Sequence, residues 1–122
     1  MEKLVSTAES RRFMIDCFKI FGVPQNYAEQ LADLLVAANY HGQISHGLNR
    51  LQHYLNDLST KSADGTAVPK ILKESPATAW VDGCNALGAV IANFCMDLAI
   101  KKVSVGFMPK IPIIVKCLVG IL

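Results

Sequence analysis

The stretch Ile44-Ser45-His46-Gly47-Leu48-Asn49-Arg50-Leu51, running on to Tyr54, constrains this chain most, because leucines and ionisable groups interleave in it with a helical period. Leu48, Leu51, Leu55 and Leu58 recur at three- and four-residue steps and predict one apolar stripe. At about 100° per residue, His46, Arg50, His53 and Asp57 fall on the opposite face. A helix opening at Ser45 would carry a hydroxyl cap, bury its leucines and leave the ionisable groups accessible. Its N-terminus would add partial positive charge beside His46. On such a helix His46 and Arg50, four residues apart, would be neighbours. An imidazole titrates near physiological pH and moves protons. A guanidinium keeps its charge and grips a carboxylate in a two-bond fork. The pair suits a small anionic substrate that undergoes proton transfer. Spacing alone favours a solvated helix surface, since most polar helix faces do no chemistry.

Composition narrows the classes. The 122 residues make one domain's worth of chain, long enough to bury about two-thirds of the unfolded surface. A hydrophobic fraction of 52% with 18% charged residues excludes a disordered chain. The net charge of +2 is small and its cations are scattered, which argues against nucleic acid as a partner. Cys17, Cys84, Cys95 and Cys117 show no metal-ligand spacing, so no metal site is expected and buried free thiols are. Met1-Glu2-Lys3 leads into a polar, helix-forming stretch without a signal-peptide pattern, so a reducing, cytoplasmic location is expected. The longest apolar run, Ile111 to Leu122, is interrupted by Pro112 and Lys116 and is too short to span a bilayer, so no membrane partner is expected.

Along the chain, Ser6-Thr7-Ala8-Glu9 reads as a capping box. Phe13, Met14, Cys17, Phe18 and Phe21 follow at helical spacing as core or subunit-contact residues, and Gly22 with Pro24 ends that helix. A second helix is predicted from about Gln25 to Asn39, burying Ala28, Leu31, Ala32, Leu35 and Ala38, with Gly42 as its exit. His41 reads as a loop residue and His53 as surface. The third helix runs to Ser59 and gives way to a polar loop, Thr60 to Thr66. Lys70 to Glu74 and Thr78 to Asp82 predict two short strands around Ser75-Pro76, with Trp80 packed. The turn Gly83 to Gly88 then opens a helix from about Leu87 to Lys102. Its glycine spacing is not a dinucleotide fingerprint.

Two separated blocks carry a family resemblance. Gly42-x-Ile44-Ser45-His46-Gly47-x-x-Arg50-Leu51-x-x-Tyr54 resembles the N-terminal signature of the type 2 malate/L-lactate dehydrogenase family, which is not Rossmann-folded and includes ureidoglycolate, sulfolactate and cyclic-imino-acid enzymes. Pro76-Ala77-Thr78-Ala79-x-Val81-Asp82-Gly83, Asn85-Ala86-Leu87-Gly88 and Ala99-Ile100-x-Lys102 resemble its next strand, turn and helix. Carried over by position, the resemblance implies that Ser45 orients the histidine, that His46 is the general acid and base, and that Arg50 holds the substrate carboxylate. It also implies an NAD(P)-dependent oxidoreductase acting on the CH-OH group of a small 2-hydroxy acid, NAD or NADP as cofactor, and a homodimer built through the N-terminal helices.

The resemblance covers roughly residues 5 to 107, with Val105-Gly106-Phe107 similar to the family's next strand. From Met108 onward it vanishes, and the family's second histidine and the start of its cofactor site do not occur. Shifted by one base, the codons of Met108 to Ile114 permit Ala-Lys-Asn-Ser-Asn-His, the order that the family shows; the nucleotide sequence across codons 102 to 122 decides whether the tail is an out-of-frame translation. The expected fold is α+β: three N-terminal helices, short strands and one long helix, as a truncated malate/L-lactate dehydrogenase-like fold. The expected divisions are 1–60 for the helical segment, 61–107 for the start of the strand and helix core, and 108–122 for an apolar tail outside the family pattern. The expected function is a dehydrogenase fragment, inactive alone and without its cofactor; a helical dimerisation module or an aberrant translation product is the alternative.

Overall fold

Ser6 starts the first helix, as its position ahead of Glu9 predicts. In the computed structural model, which describes residues 3–104 and, by backbone alone, residue 105 and the strand at 114–118, the Ser6 hydroxyl accepts the Glu9 amide at 3.2 Å. Only this half of the capping box forms: the Glu9 carboxylate turns to Arg12, which also reaches Asp16 at 2.7 Å. Helix α1 spans Thr7–Ile20 and α2 spans Gln25–Tyr40. Both end the same way. Gly22 (φ +80°) and Gly42 (φ +78°) take left-handed conformations that a β-carbon would resist. The amide of the residue after each glycine then reaches back five positions, Val23 to Phe18 O at 3.3 Å and Gln43 to Ala38 O at 2.8 Å.

These helices belong to the first of two compact units, Met1–Thr66 and Ala67–Leu122. Met14, Ile15 and Phe18 of α1, Val23 of the turn, and Ala28, Leu31, Ala32 and Leu35 of α2 are buried, so small residues of α2 let the two helices pack closely. Arg11 and Asp33 link the same helices by a two-bond ion pair, 2.5 and 3.1 Å. Phe13 and Phe21, expected as core or contact residues, are exposed at the surface of this unit, while Ile15, which the helical spacing passed over, is buried.

The third helix departs from expectation. Ile44–His46 and Leu48–Arg50 are separate 3-10 turns, and helix α3 begins only at Leu51 and ends at Ser59. Ser45 is therefore not its cap. Arg50 occupies that position and makes no side-chain capping bond. Of the four stripe leucines only Leu51 is buried; Leu55 and Leu58 are half-buried and Leu48 is exposed.

In the second unit, strand β1 (Lys70–Glu74) pairs antiparallel with β2 (Thr78–Asp82), at the bounds the sequence predicts, with an irregularity between Ile71 and Lys73. The connection is closed by Ser75 and Thr78: the Ser75 amide donates to Thr78 O at 2.9 Å, the Thr78 amide to Ser75 Oγ at 3.1 Å, and the two hydroxyls lie 2.6 Å apart. Along β2, Ala79 and Val81 point inward, which turns Trp80 outward to 45% exposure and corrects its reading as a packed aromatic. A third strand, β3 (Ile114–Leu118), lies parallel to β2. Helix α4 runs Gly88–Val105, one turn beyond the predicted end, so Val105 is helical rather than the start of a strand. Val81, Ala86, Ile91 and Cys95 form the core of this unit. Lys102 fastens the end of α4 to the β1–β2 turn, bonding Glu74 Oε2 at 3.1 Å and Ser75 O at 2.7 Å.

The α+β class expected from sequence holds. Within the expected tail, 114–118 is strand, while 108–113 and 119–122, like Gly106-Phe107 before them, lie outside the described residues. Cys17 and Cys84 are free, as expected, whereas Cys95 is disulfide-bonded, which corrects its reading as a free thiol. No helix among the described residues is long and apolar enough to cross a membrane.

Candidate active site

The reversal at Gly42 delivers the chain from α2 into the two 3-10 turns, and the chemistry-bearing residues sit on those turns. The His46 amide donates to Gln43 O at 2.8 Å, and the Arg50 amide to Gly47 O at 2.9 Å, so each turn is closed by its own backbone. Because Gly47 separates them, His46 and Arg50 are not successive positions on one helical face. The i to i+4 relation that brought them together in the sequence does not apply.

Ser45 connects them instead. Its hydroxyl lies 2.8 Å from His46 Nδ1, and its carbonyl oxygen accepts Arg50 Nε at 2.8 Å. A hydroxyl both donates and accepts, so Ser45 can serve either tautomer of the ring. When Nδ1–H donates to Ser45, Nε2 carries a free lone pair and is a base; after it takes a proton, Nε2–H is an acid and the Nδ1 bond is unchanged. Arg50, with Nε committed to the backbone, keeps its two terminal nitrogens as an end-on fork for a planar anion. His46, Ser45 and Arg50 are all exposed, so a ligand from solvent can reach them. Among the described residues no group of histidine, cysteine and acidic side chains could hold a metal ion.

His53 is exposed on α3, as read from sequence. His41 caps α2 and lies edge-on to the Tyr40 ring at 5.6 Å between centroids. Burial and the neighbouring Asp16 raise the Cys17 thiol above its ordinary value, away from the thiolate form.

The turn into α4 offers no dinucleotide cradle. Gly83-Cys84-Asn85-Ala86 closes by a bond from Ala86 N to Gly83 O at 2.9 Å, with Cys84 (φ +51°) and Asn85 (φ +58°) both left-handed. The Asp82 carboxylate accepts the Cys84 amide at 2.9 Å, which places a negative charge where a phosphate would need a positive one. Ala86 and Leu87 are buried. This turn therefore does not fit the phosphates of a dinucleotide.

A family profile described as malate/L-lactate dehydrogenase matches residues 5–106. The L-sulfolactate dehydrogenase of Methanocaldococcus jannaschii is 39% identical over 99 residues, 81% of this chain and 29% of that protein. The malate dehydrogenase of Pyrococcus horikoshii is 34% identical over 90 residues, 74% of this chain and 25% of that protein. Among solved structures, the M. jannaschii sulfolactate dehydrogenase superposes with a TM-score of 0.81 at 38% identity, covering 84% of this chain and 30% of its own. The P. horikoshii enzyme gives 0.80 at 32% identity, covering 82% and 29%. The chain thus spans between a quarter and a third of the length of these relatives.

Proposed function

Since the chain belongs to the malate/L-lactate dehydrogenase family, corresponding to an N-terminal part of its members, we propose that the Ser45–Arg50 segment is the proton-transfer and carboxylate-binding part of a dehydrogenase acting on a small 2-hydroxy acid. The observation that carries the reading is the shared tether: one serine bonds the imidazole through its hydroxyl and the guanidinium through its carbonyl oxygen. His46 Nε2 takes the proton of the substrate hydroxyl as the alcohol becomes a carbonyl and returns it in the reverse direction. Arg50 holds the carboxylate with its terminal nitrogens, and Ser45 sets the ring. In a dehydrogenase a nicotinamide, NAD or NADP, supplies the hydride chemistry. This chain carries the acid side of the reaction, is inactive alone, and acts in the cytoplasm.

Titrating the 122-residue chain with L-malate tests this reading, with the His46 ring and Arg50 side-chain NMR signals as readout. The expected result is saturable movement of both sets at millimolar ligand, lost in Arg50→Ala, with no saturable change on addition of NADH. Malate that moves neither set would contradict it.

A second reading has its own observation. Phe13, Cys17 and Ile20 follow at i, i+4 and i+7 on α1, with Phe13 51% and Ile20 82% exposed at the surface of this unit. An apolar stripe left outward suits a homodimer through the N-terminal helices, with or without catalysis.

A further inference from the structure

From residues 41 to 50 the chain is exposed at every position but one, and the exception is Gly47. Its backbone, at φ −99° and ψ −139°, does not lie in the left-handed region, so conformation alone does not call for glycine. Space does. A β-carbon built on Gly47 would overlap Asn39 Oδ1 and Cγ and lie 3.0 Å from Nδ2. The Asn39 carboxamide therefore covers the face of Gly47 that any other residue would fill with its own side chain.

Asn39 is well placed to hold a loop. It belongs to the last turn of α2, where its carbonyl oxygen accepts the Gly42 amide at 3.1 Å and so takes part in the chain reversal itself. Asn39 also lines a small cavity with Ser10 and Thr7 of α1 and Val36 of α2. The loop between Gly42 and Leu51 has no buried side chain of its own, and beyond Gln43, whose amide is held by Ala38 O, its backbone bonds stay within the loop and leave the seat of the two 3-10 turns on the helices undetermined. The contact of Asn39 with Gly47 supplies that seat, one residue from His46 and three from Arg50.

We propose that Asn39 is a positioning residue for the His46 segment: its carboxamide seats the backbone of Gly47 on α2 and thereby fixes the direction in which Ser45 and His46 are presented. Its importance to catalysis rests on the function proposed above, but the seating does not. Loss of the carboxamide would let the two 3-10 turns shift against α2, and a side chain at position 47 would push them away from it. The two changes act through one volume, so their effects should not add.

The test is a double-mutant cycle on the intact 122-residue chain, read without substrate or cofactor from the His46 ring signals by NMR. Gly47→Ala and Asn39→Ala should each shift the His46 signals, while Asn39→Leu, of the same branched shape and uncharged, should leave them near the parent. In the Asn39→Ala background, adding Gly47→Ala should produce a much smaller shift than it does in the parent, because the new methyl enters vacated space. Amide signals of α1 and α2 report whether the helices persist. If Gly47→Ala unfolds the unit, the comparison of Asn39→Ala with Asn39→Leu decides by the same signals. Additive shifts, or His46 signals that ignore Asn39→Ala while the helices persist, would overturn the proposal. Because no ligand is present, such a failure is distinct from a failure of malate to bind.

Discussion

Phe18→Ala is expected to destabilise the helical unit by about 3–5 kcal/mol, the range for removing a fully buried aromatic ring. Phe18 is entirely shielded from solvent and is one of the two largest side chains in the buried set of α1 and α2. Its backbone is committed as well: its carbonyl oxygen accepts the amides of Phe21 at 3.1 Å and Val23 at 3.3 Å, closing the turn that sends the chain into α2. Losing the ring leaves a cavity where the helix, its cap and its neighbour all depend on one position. Against a total stability of about 5–15 kcal/mol for a small domain, this is a large share. Phe13→Ala, on the exposed side of the same helix, should change stability by only about 0.5 kcal/mol. Urea unfolding followed by circular dichroism measures both, and a Phe18→Ala cost no greater than that of Phe13→Ala would refute the assignment of the core. The platform matters for function, since α2 carries the residues from which the His46 turns depart.

How much of this was legible in the sequence depends on the range of the interactions involved. Helix ends and strand bounds are local. Ser6 ahead of Glu9, glycine at 22 and 42, and Ser75-Pro76 between two β-prone runs specify their turns through nearby backbone groups, and these elements were read correctly. The helix drawn from Ser45 failed for a local reason that was present but outweighed: the leucine period ran straight across Gly47, a residue that costs a helix interior about 1 kcal/mol relative to alanine. Trp80 was misread because its size drew attention from the two-residue alternation, which puts it opposite the smaller Ala79 and Val81. Ser45, His46 and Arg50 were singled out by residue type and by family resemblance, yet their relation was mistaken. A shared serine joins them, and spacing does not reveal that bond. Asn39 carried no signal at all, because its contact with Gly47 is made only after the chain reverses through Gly42.

The largest kinetic effect is expected from His46. A positioned general acid and base contributes about 10²–10⁴-fold to a rate, and no neighbouring histidine shares its place: His41 caps α2 and His53 lies on α3, beyond both 3-10 turns. Substrate held by Arg50 would still bind once the imidazole is gone, so the loss should fall on kcat more than on KM. His53→Ala, which removes an imidazole outside the proposed site, should be close to neutral.

The decisive measurement is turnover in a chimera in which residues 5–106 of this chain replace the matching segment of the M. jannaschii L-sulfolactate dehydrogenase, compared with and without His46→Ala. A fall in kcat of about 10²–10⁴-fold, with His53→Ala near the unsubstituted rate, is the predicted result. Unchanged turnover in the His46→Ala chimera would contradict the assignment of proton transfer to this segment.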